Sequence, residues 1–172
     1  MTPQWKVTVG LGDASPIMAK GKLNSFTRQG EDEVIRCLDE ATGKELWQNK
    51  YPAQAITGPS NSQHPGPRST PAVGEGKIVT LGVGGVLSCL DAGTGNLVWR
   101  NEDFTKDLPA FFTGLSPLIA NGMCIVHLGG KEKGEIIAFD LKTGNQKWQC
   151  ASDGPSYASL SLMTVNGKKT AG

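Results

Sequence analysis

The sequence predicts an all-β fold of repeated four-stranded antiparallel sheets, and three observations carry that prediction. An eleven-residue motif, small-x-Asp-x-x-Thr-Gly-x-x-x-Trp, occurs three times in the 172-residue chain, with its Asp at positions 39, 91 and 140, 52 and 49 residues apart. A fixed motif recurring at a period near fifty marks a repeat architecture in which each copy is one supersecondary unit. Each motif also lies among short runs rich in Val, Ile, Leu and Thr, bounded by Gly turns, which read as hairpin-linked strands. No stretch sustains the 3.6-residue apolar spacing of a helix.

Taken in order, residues 4–9, with Trp5 at their head, read as the last strand of a preceding unit. The first complete unit spans 15–49, with strands at 15–19, 22–27, 34–39 and 44–49. The second spans 69–100, with strands at 69–73, 77–81, 86–91 and 96–100. The third spans 116–150, with strands at 116–120, 123–128, 135–140 and 146–150. Residues 157–172 begin a further unit with a strand to 165 and a turn at 166–169.

The third strand of each unit is close to continuously apolar, as in Val34-Ile35-Arg36-Cys37-Leu38, which suits a sheet covered on both faces. Neighbouring units must supply that cover. Radial repetition around a channel, the β-propeller, does so and leaves only short edges. A linear stack of sheets is the rival arrangement. The expected domain is therefore one partial propeller, three complete blades between two partial ones.

Within the motif, Asp39, Asp91 and Asp140 can accept backbone N–H groups where the third strand enters its turn. Thr42, Thr94 and Thr143 follow them, and Gly43, Gly95 and Gly144 supply the left-handed backbone. The small residues Cys37, Cys89 and Ala138 leave room for close sheet approach, and Trp47, Trp99 and Trp148 cover apolar area on the outer strand. These residues read as blade architecture. Ser15-Pro16, Thr70-Pro71 and Ser116-Pro117 open the first strands. Proline cannot donate to a ladder, so first strands should be innermost, along the channel.

This motif resembles the tryptophan-docking repeat of the pyrroloquinoline-quinone-type β-propellers, and the likeness covers nearly the whole chain. The resemblance implies a ring of eight blades, which at ~50 residues each needs ~400 residues. The simplest expectation is a segment of a longer propeller, and the rival is a half-ring that pairs with a second chain. The family holds quinoprotein alcohol dehydrogenases, the lipoprotein of the outer-membrane barrel-assembly machinery and propellers of no known activity, so it leaves function open. It implies a periplasmic or secreted location.

A net charge of +1, from 17 basic and 16 acidic residues, gives no footprint for nucleic acid. No run of 18 apolar residues predicts a membrane span. Cys37, Cys89, Cys124 and Cys150 include no Cys-x-x-Cys pair. Cys37 and Cys89 sit on successive sheets ~10 Å apart, beyond the ~7 Å reach of a disulfide, and are expected to be free and buried. A Cys124–Cys150 pair is conceivable.

Alternating strand direction puts the tight turns on one face and the long connections, 10–14, 28–33, 51–68, 101–115, 129–134 and 151–156, on the other. Long loops on a rigid scaffold are where binding concentrates. Asp13, Arg68, Thr113 and Tyr157 should crowd the channel mouth there. His64 is a candidate acid, base or ligand, or a solvated bystander. Arg68 could grip a carboxylate or quinone oxygen, or pair with a loop. Phe112, with Phe111, could stack on a ligand or pack between blades. His127 reads as structural, and Gly82-Val83-Gly84-Gly85 as a hairpin connection.

Family quinoproteins carry adjacent cysteines and carboxylate and amide ligands for calcium. The chain has no adjacent cysteine pair and no evident ligand set beyond single residues such as Asp13 and Asp107. The leading expectation is a noncatalytic binding or assembly scaffold, with no cofactor evident and a protein partner on the long-loop face. The alternative is a segment of a quinone-dependent alcohol or polyol dehydrogenase, with pyrroloquinoline quinone and calcium.

Overall fold

The computed structural model of the chain describes residues 4–54, 58, 62–165 and 168–171, of which 164–165 and 168–171 as backbone only. Part of the 51–68 loop and the turn at 166–167 therefore lie outside the described residues. The first sheet runs β1 (Ile17–Ala19), β2 (Lys22–Gln29), β3 (Asp32–Asp39), β4 (Glu45–Pro52). The second runs β5 (Ala72–Gly74), β6 (Lys77–Leu81), β7 (Leu87–Asp91), β8 (Leu97–Asn101). The third runs β9 (Leu118–Ala120), β10 (Met123–Gly129), β11 (Gly134–Asp140), β12 (Gln146–Ser152). A hairpin of β13 (Leu162–Val165) and β14 (Lys168–Ala171) follows. Every pairing joins consecutive strands and is antiparallel. The fold is the expected partial propeller of four-stranded blades.

The innermost strands are shorter than the sequence suggests. Pro16, Pro71 and Pro117 cannot donate, so the ladder starts only after them. The residue before each proline bonds sideways instead. Ser15 N–H donates to Thr70 Oγ1 at 3.3 Å, Thr70 N–H to Ser116 Oγ at 2.9 Å, and Ser116 N–H to Ser159 Oγ at 2.8 Å. β1 touches β5 and β5 touches β9, so this girdle links successive blades along their inner edge.

Residues 4–9 form no strand, because among the described residues no strand lies alongside to pair with them. Trp5 is placed like a motif tryptophan all the same. A Cβ on Gly43 would run into the Trp5 ring, and the same holds for Gly95 with Trp47 and Gly144 with Trp99. Each indole thus lies flat on the turn glycine of the following blade, whose φ of 70–74° also favours glycine. The tryptophans bridge blades rather than cover their own outer strand.

The small motif residue is the cross-strand partner of the tryptophan: Cys37 faces Trp47, Cys89 faces Trp99 and Ala138 faces Trp148, each just before a bulge. In the turns, one oxygen of Asp91 accepts from Gly93 N (3.0 Å), Thr94 N (3.1 Å) and Thr94 Oγ1 (3.2 Å). Asp39 and Asp140 are held in the same way by Thr42 and Thr143. These bonds, with the Lys147 ammonium foremost at Asp140, keep all three carboxyls below the usual range, Asp140 at about 2.

The core consists of the layers between blades. Val79, Leu81, Leu87, Cys89 and Trp99 of the second blade pack on Cys124, Val126, Leu128, Ile137, Phe139 and Leu141 of the third. Phe26, Ile35 and Tyr51 of the first blade pack on Ile78, Val86 and Leu90 of the second. Beyond the third blade, β12 is exposed along its length and Trp148 is 40% exposed. The conceivable Cys124–Cys150 pair does not form. Cys124 is buried in the layer facing the second blade, Cys150 is exposed on β12, and both are free, as are buried Cys37 and Cys89. Burial pushes the Cys89 thiol up to about 11.

Candidate functional site

The long connections share one face, opposite the motif turns. The tight turns are tied to the motif turns by Glu40 N–H to Gly21 O (3.0 Å), Ala92 N–H to Gly76 O (3.0 Å) and Leu141 N–H to Gly122 O (2.9 Å). On the other face, Asp13 N–H and Ala14 N–H donate to Pro67 O at 2.9 and 3.0 Å, which brings the 10–14 and 51–68 connections together.

Four of the five candidate residues form one continuous line across this face. His64 Nδ1 lies 3.0 and 3.2 Å from the two carboxylate oxygens of Asp13. The Arg68 guanidinium donates to His64 O at 3.2 Å and to Phe111 O. Phe111 N–H donates to Tyr157 Oη at 3.1 Å, and the two rings meet at 6.1 Å and 57°. A chain of contacts therefore runs from the connection before the first blade to the one after the third. Arg68 is its centre, donating to two backbone carbonyls from two different loops.

Phe112 departs from this line. It holds a positive φ of 62°, unusual for a bulky side chain, and turns toward Leu108, Thr113, His127, Leu128 and Pro155. Together they enclose a cavity of about 10 Å³, room for about one water. It is Phe111, 52% exposed, that faces outward. Thr113, expected at the channel mouth, is instead buried, its hydroxyl donating to Gly82 O and, at 3.1 Å, to Val83 O. His127 lies 3.1 Å from Asp153 O, a structural tie between the third blade and the loop that leaves it.

One buried pair lies outside the candidates that the sequence offers. Glu33 and Tyr51 are cross-strand partners in the first blade, and both are buried. Tyr51 Oη donates to Glu33 Oε2, and Val83 N–H of the second blade donates to Glu33 Oε1 at 2.8 Å. Gly82 packs directly on both side chains, and the Arg100 guanidinium sits 4.3 Å over the Tyr51 ring. Burial raises the Glu33 carboxyl above its ordinary value, against the hydrogen bonds, and with Glu33 beside it drives the Tyr51 hydroxyl well up. The cover comes from a glycine loop of the next blade, so the signal in the sequence was at most a Glu and a Tyr in pairing register.

A family model described as outer membrane protein assembly factor BamB, of the PQQ repeat type, matches residues 31–170. The chain belongs to this PQQ-like β-propeller repeat family. It is similar to methanol dehydrogenase [cytochrome c] subunit 1 of Methylorubrum extorquens, 27% identical over 170 residues, covering 90% of this chain and 26% of that protein. Among solved structures it is similar to the quinohemoprotein alcohol dehydrogenase of Comamonas testosteroni (TM-score 0.61, 25% identity, 83% of this chain and 21% of that one). It also resembles BamB of Moraxella catarrhalis in fold (TM-score 0.53, 18% identity, 82% of this chain and 35% of that one). The chain thus spans about a quarter of the length of the dehydrogenases it matches. No helix among the described residues is long and apolar enough to cross a membrane.

Proposed function

We propose that this chain is a propeller segment that serves as a noncatalytic binding and assembly scaffold. One observation carries the reading. On the long-loop face the candidate side chains Asp13, His64, Arg68 and Tyr157 direct their polar groups at one another and at loop backbone, so they brace blades together instead of lining a reaction space. Phe111 is left outward as an aromatic contact point for a protein partner, a role aromatic side chains often take at interfaces. The remaining blades of the ring, in the same protein or a second chain, are the partners that the exposed β12 edge calls for. A periplasmic or secreted location follows the family resemblance.

The likeness to methanol and alcohol dehydrogenases over most of the chain favours a second reading, a segment of a quinone-dependent alcohol oxidoreductase. On this chain no ligand set for that cofactor and its calcium is evident. Among the described residues no three His, Cys, Asp or Glu side chains gather as metal ligands, and the Asp13 carboxylate is already engaged by His64. The two readings separate in a fluorescence titration of a protein carrying the complete ring with pyrroloquinoline quinone and calcium. The scaffold reading expects no saturable uptake. Stoichiometric uptake, followed by dye-linked alcohol oxidation above background, would overturn it in favour of the second.

A further inference from the structure

A second site lies at the opposite end of the blades, between the first and the second, and it is independent of the loop-face reading. The blades are unequal at one buried position. In the pairing of the innermost strand with the next, Ile17 faces Asn24, Ala72 faces Val79 and Leu118 faces Ile125. The second and third blades thus carry buried apolar residues, Val79 and Ile125, where the first carries Asn24. Asn24 is itself only 4% exposed, and its side chain has no hydrogen-bond partner among the described residues. Its amide is not among the fully buried side-chain groups that lack a partner, so it meets solvent at the cleft it lines.

Asn24 lines a cleft of about 290 Å³ that opens beside the tight turns of these two blades. Lys20 and Lys22 of the first blade line it too, with Ala19, Val73 and Glu75. Lys22 Nζ reaches across to Ala92 O at 3.4 Å, and one Glu75 oxygen is held by Gly122 N–H at 3.0 Å, a tie to the third blade. The position of Lys22 is filled by Met123 in the third blade, each opening its second strand opposite the motif Asp. The groups on offer are the Lys22 ammonium, the exposed Lys20 and an amide, against the single carboxylate of Glu75, so donors outnumber acceptors and an ammonium can only donate. Their complement is an anion. The volume falls at the lower end of small-ligand sites, and Ala19 and Val73 give the cleft an apolar side.

We propose that this cleft is a binding site for a small aliphatic carboxylate, its carboxylate held by Lys20, Lys22 and the Asn24 amide and its short chain against Ala19 and Val73. The probe is butyrate, with inorganic phosphate as the charge-only control, titrated into the chain and followed by ¹H–¹⁵N NMR. Saturable butyrate shifts confined to residues 19–24, 73–76 and 92–93 are expected, with phosphate weaker by about tenfold or more, ~1.4 kcal/mol. Asn24→Val and Lys22→Met put into the first blade residues that sister blades already carry, so both should fold, checked by circular dichroism. Each is expected to weaken butyrate by about tenfold, ~1.4 kcal/mol. Absence of saturable shifts would overturn the proposal. Shifts that survive unchanged in both variants would place the ligand elsewhere, and phosphate binding as tightly as butyrate would remove the aliphatic part of the assignment.

Discussion

The layer between the first and second blades and the layer between the second and third are built on the same motif, yet one carries buried polar side chains and the other is apolar. In the second layer Trp99 is 9% exposed, its Nε1–H donates to Leu141 O at 3.1 Å, and its ring meets Phe139 at 6.0 Å. In the first layer Trp47 docks on Gly95 just as firmly, but its buried Nε1–H has no partner. The equivalent carbonyl, Ala92 O, takes the Lys22 ammonium instead. Asn24 stands nearby, and at the loop end Glu33 and Tyr51 form a buried polar pair, where the third blade pairs Gly134 with Ser152. The difference teaches that the motif fixes how blades dock, while residues outside it decide how much stability the docking yields. Polar groups in a buried layer raise the stakes of every unmet bond.

The largest effects should come from the docking tryptophans. Trp99→Ala removes a buried indole, its hydrogen bond and its ring contact, and is expected to cost ~3–5 kcal/mol. Trp47→Ala should cost less by ~1 kcal/mol, since no hydrogen bond is lost with it. Urea midpoints at a common m value measure both. Equal costs would break the contrast between the layers.

Next in size is the polar pair. Tyr51→Phe leaves a Glu33 oxygen buried without its donor and should cost ~1–3 kcal/mol. Glu33 also predicts the sign of a pH effect. Its carboxyl is raised by burial, so the folded state holds the proton more tightly than the unfolded one. Its contribution is then fullest below the ordinary carboxylate range and is lost as pH rises through the folded value. The facing groups, Tyr51, Val83 N–H and Arg28, favour or accompany the charged form only in part. Glu33→Gln, whose amide oxygen can still accept from Val83, should flatten this decline in thermal melts from pH 4 upward. An unchanged slope would show that the pair does not titrate. The motif aspartates act with the opposite sign, losing stability as pH falls through their lowered values.

The repeat made the blades and the roles of Asp39 and Gly43 legible in the sequence, because each depends on residues a few positions apart, whereas Trp47, expected to cover its own outer strand, docks on Gly95 of the next blade. The loop-face line was legible in part. Asp13, His64, Arg68 and Tyr157 stood out as polar or aromatic residues beside the innermost strands, and connection topology brought them together. Phe111 and Phe112 could not be told apart, since which ring turns inward depends on the positive φ at Phe112. Glu33, Tyr51 and the Asn24 cleft were invisible for another reason. Their burial is imposed by a neighbouring blade, and one sequence carries no record of which side chains a neighbour will cover. At Asn24 the copies do differ, with Val79 and Ile125 at the same register, but that difference alone does not show a cleft.

A smaller effect tests the polar layer from the other side. Asn24→Val copies the second blade into the first and should stabilise by ~0.5–2 kcal/mol, the usual gain for filling a core gap. It also replaces an amide that is only 4% exposed by an apolar side chain. The gain should appear as a higher urea midpoint in the absence of any carboxylate. A loss of stability would mean that the amide is already satisfied by ordered water, and that the cleft is part of the fold's own hydration.

The smallest expected effect isolates what cover contributes. Trp148 carries the same motif as Trp99 and faces a small residue in the same register, yet it is 40% exposed on an exposed strand. Trp148→Ala should therefore change the stability of this chain by no more than ~0.5 kcal/mol. In a protein carrying the complete ring, where a further motif turn lies over the indole, the same substitution should approach the Trp99→Ala cost. Measured side by side, the two values separate the free energy of docking from the intrinsic preference of the strand for tryptophan. A cost that is small in both settings would mean that the motif tryptophan shapes the strand without joining the blades.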